Sequence, residues 1–338
     1  MVDCENISDS DLNLTMRLIR DEVVSRGWKI YLYYVGNSHA LLQKPDGSTM
    51  QIFASTPPTT SYAFGIAANN KYLSHLIHER AGLPTLRTAL VTSKVTAQQT
   101  MDTMWESVEQ VVVKPLDSGH GYGITLGLTK DGDIEGAVSF ARKFSKAVLI
   151  QEYIKNAIDI RMLCVGYTFV AAMYRIPARV LGDGKSTIAE LISAENDSDR
   201  RGDGYRKPLT KINLENASGY LGEKMKDIPP AGEWVQVIGV ANLGVGGEVE
   251  DITDMIPSWL VKMAEDASRA SHLPVAGVDF LLKTAPSLGS TLEDLGPKLI
   301  EINKCPALSI HEFPTTGQPR KVAKSYVDYL DTLNWLLT

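Results

Sequence analysis

The chain has 338 residues, of which 44% are hydrophobic and 22% charged, and 34 basic against 40 acidic residues give a net charge of −6. This composition excludes disorder for the bulk of the chain, and the length predicts about two domains. The acidic balance excludes the electrostatic footprint of a protein that binds duplex nucleic acid or an anionic membrane. Three dispersed cysteines and an N-terminus without a signal peptide predict a cytoplasmic protein.

The first 60 residues predict a small βαββ unit. A helix is expected over 8–27, with Ser8 or Asp9 as its N-cap, because apolar residues recur on one stripe of this segment. A strand over 29–35 and a β-hairpin that turns at 45–47 follow it. A proline-containing loop then ends the unit.

The remaining strands and helices alternate irregularly, which is typical of an α+β fold with largely antiparallel sheets. A helix is predicted over 69–82, with an apolar face that consists of Leu73, Leu76 and Ile77. His75 and His78 are expected on its solvated face. Further strands are predicted at 88–92, 110–115, 123–128, 147–154, 161–166, 168–180, 234–240, 275–282 and 298–303. Further helices are predicted at 134–144, 186–194, 257–271 and 319–336.

The stretch VVVKPLDSGHGYGITLGL at 111–128 combines a lysine with closely spaced glycines. An apolar strand brings Lys114 to a loop that contains Gly119, Gly121 and Gly123. Such glycines let the backbone approach an anion and point N–H groups at it, and a lysine supplies a charge suited to phosphate. A glycine-rich hairpin turn beside a surface lysine is the alternative, and the spacing leaves both open.

Oxygen-bearing side chains interrupt two apolar strands near the C-terminus. Asp279 lies within VAGVDFLL, and Glu301 and Asn303 flank Ile302 in LIEIN. Strand periodicity places Glu301 and Asn303 on one face. A carboxylate in an apolar strand requires compensation, and a cation such as Mg²⁺ or Mn²⁺ suits these all-oxygen ligands. Pairing with lysine or arginine is the alternative interpretation.

A third group is basic and consists of Arg161, Arg175, Arg179, Arg200, Arg201, Arg206, Lys207 and Lys211. Guanidinium groups on strands, as at Arg161 and Arg175, can clamp a phosphate or carboxylate. Arg200, Arg201 and Arg206 lie in a polar loop, where ordinary surface charge is expected.

The stretch LGDGKST at 181–187 resembles part of a phosphate-binding P-loop. The complete motif requires glycine where this chain has Arg179, so a turn and a helix capped by Ser186 are predicted instead. The G-x-S-x-G nucleophile motif is absent from the sequence, and nothing near Cys305 in the sequence marks it as an activated nucleophile.

Seven stretches in one order resemble ATP-grasp ligases, in particular the ATP-grasp portions of cyanophycin synthetase and of the bifunctional glutamate–cysteine ligase/glutathione synthetase. They are NNKYLSHLIHERAGLP, VVVKPLDSGHGYGITLGL, IQEYIKNAIDIRMLCVG, RIPARVLGDGKSTIAELI, RGDGYRKPLTKI, AGVDFLL and LIEINKCPALSIHEFPTTGQPR. The resemblance implies two α+β subdomains that grip a nucleotide. The expected boundaries are an N-terminal unit at 1–66, a small lid subdomain at 67–151 and a large subdomain with the metal and substrate site at 152–338.

The resemblance also implies residue roles. The nucleotide site would comprise phosphate-binding lysines, a closing loop, an adenine hinge and a ribose contact: Lys71, Lys114, Gly119, His120, Gly121, Tyr122, Gly123, Gln151, Glu152, Tyr153, Ile154 and Asp159. The Mg²⁺ or Mn²⁺ ligands would be Asp279, Glu301 and Asn303. The residues facing the transferring phosphate would be Arg175, Lys211 and Arg161. The substrate candidates are Asn242, Gly246, Gly247 and His311.

The activity implied by the resemblance is ATP-dependent joining of a small carboxylic acid to an amine through an acyl phosphate, with an amino acid or dipeptide as the leading substrate. Cyanophycin-type addition of an amino acid to a peptide and a non-catalytic ATP-binding module are the alternatives. Residues 238–247 lack the polar Ser-Thr pair of the family's pattern, which predicts an altered acceptor. The second enzyme halves of both relatives are absent from this sequence, so we expect the chain to act alone, as a homo-oligomer or with a separate partner enzyme.

Overall fold

A computed structural model describes residues 1–117, 123–203 and 205–336. The strands are β1 Val2–Asp3, β2 Lys29–Leu32, β3 His39–Gln43, β4 Thr49–Phe53, β5 Thr88–Val91, β6 Val111–Pro115, β7 Thr125–Leu128, β8 Val148–Glu152, β9 Ile158–Val165, β10 Thr168–Ile176, β11 Arg179–Leu181, β12 Arg201–Gly202, β13 Leu209–Thr210, β14 Trp234–Gln236, β15 Glu248–Asp251, β16 Val275–Leu282 and β17 Lys298–Asn303. The α-helices are α1 Leu14–Ser25, α2 Tyr62–Asn69, α3 Lys71–Arg80, α4 Ala97–Met104, α5 Ile134–Ala141, α6 Ile188–Asn196, α7 Leu214–Leu221, α8 Ser258–Ala270, α9 Leu292–Leu295, α10 Ser309–Glu312 and α11 Val322–Asp331. Each helix in these ranges is too short or too polar to cross a bilayer.

The chain divides into two compact units. Unit 1 comprises Met1–Thr59, Val170–Thr253 and the chain from Cys305 onwards. Unit 2 comprises Thr60–Phe169 and Asp254–Lys304. Each unit therefore combines segments that are distant in the sequence.

Unit 1 begins with an antiparallel sheet in the order β1-β2-β3-β4. The predicted hairpin is confirmed as β3 and β4. The prediction that the first helix starts near Ser8 is wrong, because Ser8 caps a 3₁₀ turn over Asp9–Asp11. Helix α1 starts at Leu14, where the Asn13 side chain accepts a hydrogen bond from the backbone N–H of Met16 at 3.0 Å.

Unit 1 contains two further strand pairs, of which the first includes β10. Strand β10 pairs with β15 through residues 173–176, and β11 pairs with β14. The single strand predicted over 168–180 is divided, and Pro177, which lacks a backbone N–H, lies between its two parts. Helix α6 is capped by Thr187 rather than Ser186, because Ser186 donates instead to Asp183.

An apolar core holds this part of unit 1 together. Strand β11, helices α6 and α7 and the segment before β15 contribute to it. Its buried members are Ala178, Val180, Ile188, Ile192, Ile212, Ala217, Val237, Ile238 and Val245. This core brings the 210–213 segment and the 238–247 segment to the same region of unit 1.

Unit 2 contains two groups of antiparallel strands. One sheet has the order β5-β8-β6-β7, and buried residues of α4 and α5 share its apolar core. In the other group, β16 lies between β9 and β17 and pairs with both. The strands predicted around 110–115, 147–154, 275–282 and 298–303 are confirmed.

Helix α3 of unit 2 reverses the predicted faces. Ser74 and His78 are buried, whereas Leu73 and Leu76 are 42% and 40% exposed. His78 tolerates burial because its Nε2 lies 2.8 Å from the hydroxyl of Ser271. Burial lowers the pKa of His78 to about 4, so the ring is neutral at pH 7. The prediction of a solvated His78 is therefore wrong.

Candidate functional site

Asp279 lies in unit 2 among the polar side chains of Arg161, Glu301 and Asn303. Its strand, β16, places it opposite Arg161 on β9 and opposite Glu301 on β17. Asp279 is 0% exposed, and its two carboxylate oxygens accept hydrogen bonds from Arg161 Nε and Nη2, each at 2.7 Å. Asn303 Nδ2 donates to Asp279 Oδ2 at 3.2 Å. The ion pair and the amide compensate the buried charge.

Strand β17 presents Glu301 and Asn303 as its sequence predicts. Ile302 is buried between them, while both polar residues are half-buried. Carboxylate and amide oxygens are the ligands that suit Mg²⁺ or Mn²⁺. The donor set of Asp279, Glu301 and Asn303 therefore fits a divalent cation that shares Asp279 with Arg161.

Lys114 is the first of three side chains that are hydrogen-bonded in series across β6, β8 and β5. Its ammonium donates to Gln151 Oε1 at 2.7 Å, and Gln151 Nε2 donates to the hydroxyl of Thr88 at 2.8 Å. Burial lowers the pKa of Lys114 to about 8; the positive charge of Lys71 adds to this shift and Glu301 opposes it. The structure thus brings Lys71, Lys114 and Glu301 within electrostatic range of one another.

The predicted adenine hinge begins at the end of β8. The Glu152 carboxylate accepts the backbone N–H of Arg87 at 3.2 Å, and the Tyr153 N–H donates to the Gln110 carbonyl at 2.9 Å. The Gln151 side chain is buried and accepts the hydrogen bond from Lys114. Ile154 is half-buried beyond the strand, and Asp159 lies on β9 in register with Leu281.

The predicted closing loop lies mostly outside the described residues, since Gly119, His120, Gly121 and Tyr122 are not among them. Its last member, Gly123, has φ +74°, and a Cβ there would lie 2.6 Å from Phe144 and 2.7 Å from Pro115. Only glycine fits this position without a shift of its neighbours.

The remaining candidates lie in unit 1. Arg175 is on β10 opposite Val249, and Lys211 is exposed directly after β13. The side chain of Asn242 accepts the N–H of Gly244 at 2.8 Å. The candidates buried in unit 1 are Gly246, Gly247 and His311. Close packing accounts for the two glycines, because a Cβ at the first would lie 2.6 Å from Ile212 Cα and one at the second 2.9 Å from the Asn242 carbonyl oxygen.

Arg201 does not behave as the predicted surface charge. It is 4% exposed, and its Nε donates to Glu195 Oε1 at 2.8 Å. Arg200 and Arg206, its neighbours in the same loop, are exposed as predicted. Nothing in the local sequence separates Arg201 from them except the acidic Glu195, which is six residues earlier.

Comparisons with known proteins support the resemblance inferred from the sequence. Residues 68–187 match the RimK-like ATP-grasp domain family. Cyanophycin synthetase of Trichormus variabilis is 35% identical over 239 residues, which cover 68% of this chain and 26% of that protein. The glutathione biosynthesis bifunctional protein GshAB of Clostridium perfringens is 33% identical over 228 residues, which cover 66% of this chain and 29% of that protein.

The solved structure of a bifunctional glutathione synthetase from Pasteurella multocida superimposes with a TM-score of 0.69 and 25% identity, over 96% of this chain and 44% of the other. The predicted ATP-grasp fold and α+β class are confirmed. This chain spans about a quarter of the length of the two curated relatives described above.

Proposed function

From the RimK-like ATP-grasp domain that the chain contains, we propose that the protein is an ATP-dependent carboxylate–amine ligase. One observation carries the proposal: Asp279, Glu301 and Asn303 meet on adjacent strands of the unit that also holds Lys71 and Lys114. Acidic and amide oxygens for a divalent cation together with lysines for phosphate are the groups that phosphoryl transfer requires. The relatives described above are named a cyanophycin synthetase and a glutathione biosynthesis bifunctional protein.

In the proposed reaction a substrate carboxylate oxygen attacks the γ-phosphorus of ATP, and the bond to the bridging oxygen breaks to release ADP. An amine then attacks the acyl carbon, the C–O bond to phosphate breaks, and the amine loses a proton. A divalent cation bound by Asp279, Glu301 and Asn303 would neutralise phosphate charge. Positioning and charge stabilisation are sufficient for such chemistry, which requires no protein nucleophile.

The chain's own residues have distinct tasks in this proposal. Lys114 and Lys71 bind the phosphates, residues 119–123 cover them and exclude water, residues 151–154 hold the adenine, and Asp159 contacts the ribose. The bidentate bonds from Arg161 fix the orientation of the Asp279 carboxylate.

Arg175 and Lys211 stabilise the transferring phosphate, and Arg161 is the third candidate for this task. We place the nucleotide lid at 67–151 and the metal and substrate site in 152–338. The proposed setting is the cytoplasm.

The proposed substrates are a small amino acid or dipeptide and an amine. Residues 238–247 bear on the acceptor because apolar residues replace the family's polar pair there, and Val240 packs beside the apolar core of unit 1. The candidate contacts are Asn242, Gly246, Gly247 and His311. Addition of an amino acid to a peptide is the second candidate, favoured by the 35% identity to a cyanophycin synthetase.

The test is ADP release from ATP and Mg²⁺ with pooled acids and amines, followed by mass spectrometry of the products. We expect Asp279→Ala and Glu301→Ala each to lower the rate by about 10²–10³-fold, as for the loss of other charge-stabilising groups. Glu293→Ala removes an exposed carboxylate on α9 and should leave the rate unchanged. Full activity of either metal-site variant would contradict the metal assignment. ATP binding without ADP release in every pool would favour the non-catalytic module.

A further inference from the structure

Lys211 is exposed, yet the backbone on both sides of it is held by the side chains of the buried Arg201 and the half-buried Asn196. The Arg201 guanidinium donates from Nη1 to the carbonyl oxygen of Thr210 at 2.8 Å. Asn196 accepts the N–H of Ile212 at 2.7 Å and donates to the carbonyl oxygen of the same residue at 3.0 Å. Both peptide groups that flank Lys211 are therefore fixed by side chains outside its own segment.

Arg201 also holds the substrate-candidate turn. The same Nη1 donates to the carbonyl oxygen of Gly246 at 2.9 Å. The Thr210 hydroxyl donates to the Leu243 carbonyl, and the Asn213 N–H donates to the Val245 carbonyl at 3.3 Å. One guanidinium nitrogen thus links the Lys211 segment to the 242–247 turn.

The charge of Arg201 is balanced inside unit 1. Its Nε pairs with Glu195, and its Nη2 lies 3.7 Å from Oε1 of Glu248. Glu248 is also buried and accepts a hydrogen bond from Arg179 Nε at 3.1 Å. Because a buried guanidinium without acidic partners would be strongly disfavoured, these carboxylates keep Arg201 at the two carbonyls.

The two linked segments tolerate little displacement. Gly246 has φ +106°, and its backbone approaches Ile212 so closely that an added Cβ would lie 2.6 Å from Ile212 Cα. A shift of either segment therefore moves the other. Small displacements matter for phosphoryl transfer, because catalysis depends on the position of each charged group.

We propose that Arg201 is a positioning residue that fixes Lys211 and the 242–247 turn in a single geometry. The inference rests on the proposed function, in which Lys211 stabilises the transferring phosphate and the turn contacts the acceptor. Arg201 itself touches neither substrate in this account; it acts through main-chain carbonyls.

The test compares Arg201→Met and Arg201→Lys with Arg200→Met, which removes an exposed charge from the adjacent position. Hydrogen–deuterium exchange of residues 209–213 and 243–247, without substrates, should accelerate in both Arg201 variants and stay unchanged in Arg200→Met. Arg201→Lys keeps the charge beside Glu195 but lacks the forked donors, so it covers the case in which Arg201→Met does not fold.

The catalytic measurement is a double-mutant comparison with Lys211→Ala. We expect Arg201→Lys to lower kcat by about 10²-fold and to change the Kd for ATP by less than about twofold. The double variant Arg201→Lys/Lys211→Ala should lose less than the product of the two single losses, because part of the effect of Arg201 passes through Lys211.

Multiplied rate losses, or exchange and kcat equal to those of Arg200→Met, would overturn the assignment. A wild-type protein without ADP release in any pool would instead contradict the proposed function, and the exchange result would still decide whether the link exists.

Discussion

Asp279 in unit 2 and Arg201 in unit 1 are buried charges of opposite sign that the protein neutralises differently. A single guanidinium 118 residues away occupies both oxygens of Asp279. Arg201 has two carboxylates nearby and uses one nitrogen for two main-chain carbonyls. Asp279 is therefore neutralised by side chains, whereas Arg201 also bonds to the main chain. This difference is why we propose the first as a metal ligand and the second as a positioning residue.

The largest loss of stability is expected from breaking the ion pair between Asp279 and Arg161 in unit 2. Asp279→Ala leaves the largely buried Arg161 without its partner, which should lower the free energy of unfolding by about 3–5 kcal/mol. Urea denaturation in EDTA measures this change. Asp266→Ala breaks the exposed pair with Lys262 on α8 and should cost less than about 1 kcal/mol. Equal losses in both variants would contradict the difference drawn between buried and exposed pairs.

A third charge, on the half-buried Lys114, should make nucleotide binding sensitive to pH if this lysine binds phosphate as proposed. Because its pKa is lowered to about 8, the ammonium that attracts phosphate is present below pH 8 and lost above it. The affinity for ATP should fall about tenfold between pH 7 and pH 9. Titration with a fluorescent ATP analogue measures the change. Lys114→Arg retains its charge and should flatten the profile; a sloping profile in that variant would assign the pH dependence to another group.

The smallest loss of stability is expected from a change at Glu195, the more exposed of the two carboxylates near Arg201. Glu195→Gln keeps a hydrogen-bond acceptor, and the Glu195 side chain is 40% exposed, so the free energy of unfolding should fall by only about 1 kcal/mol. Glu248→Gln should cost more, because this carboxylate is buried and also pairs with Arg179. Thermal and urea unfolding of both variants give the order. A larger loss in Glu195→Gln would mean that Glu195 alone balances the charge of Arg201.

The sequence predicted those parts of the molecule in which pattern and chemistry agree. Asp279 was identifiable because a carboxylate interrupts an apolar strand, and the alternation of Glu301, Ile302 and Asn303 followed from strand periodicity. The hairpin of β3 and β4 was predicted from the Pro-Asp-Gly turn between its strands.

The parts that the sequence did not predict depend on contacts between distant residues. The buried His78 forms a hydrogen bond with the hydroxyl of Ser271, which is 193 residues later in the sequence. With His78 facing inward, Leu73 and Leu76 lie on the exposed side of the helix. Arg201 lies in a polar loop whose composition is typical of a surface, and its burial depends on carbonyl groups at Thr210 and Gly246. The local pattern of charge and hydrophobicity predicts neither the contact of His78 with Ser271 nor the contacts of Arg201 with these carbonyl groups.

The side chain of Gln151 has a consequence for how Lys114 titrates. The Gln151 amide donates to Thr88 with one end and accepts from Lys114 with the other. An uncharged amine donates hydrogen bonds as an ammonium does, so deprotonation removes the charge of Lys114 while leaving its anchor intact. Lys114 can thus lose its charge while the hydrogen bond to Gln151 holds it in place, and reprotonation restores the charge of a group that has not moved.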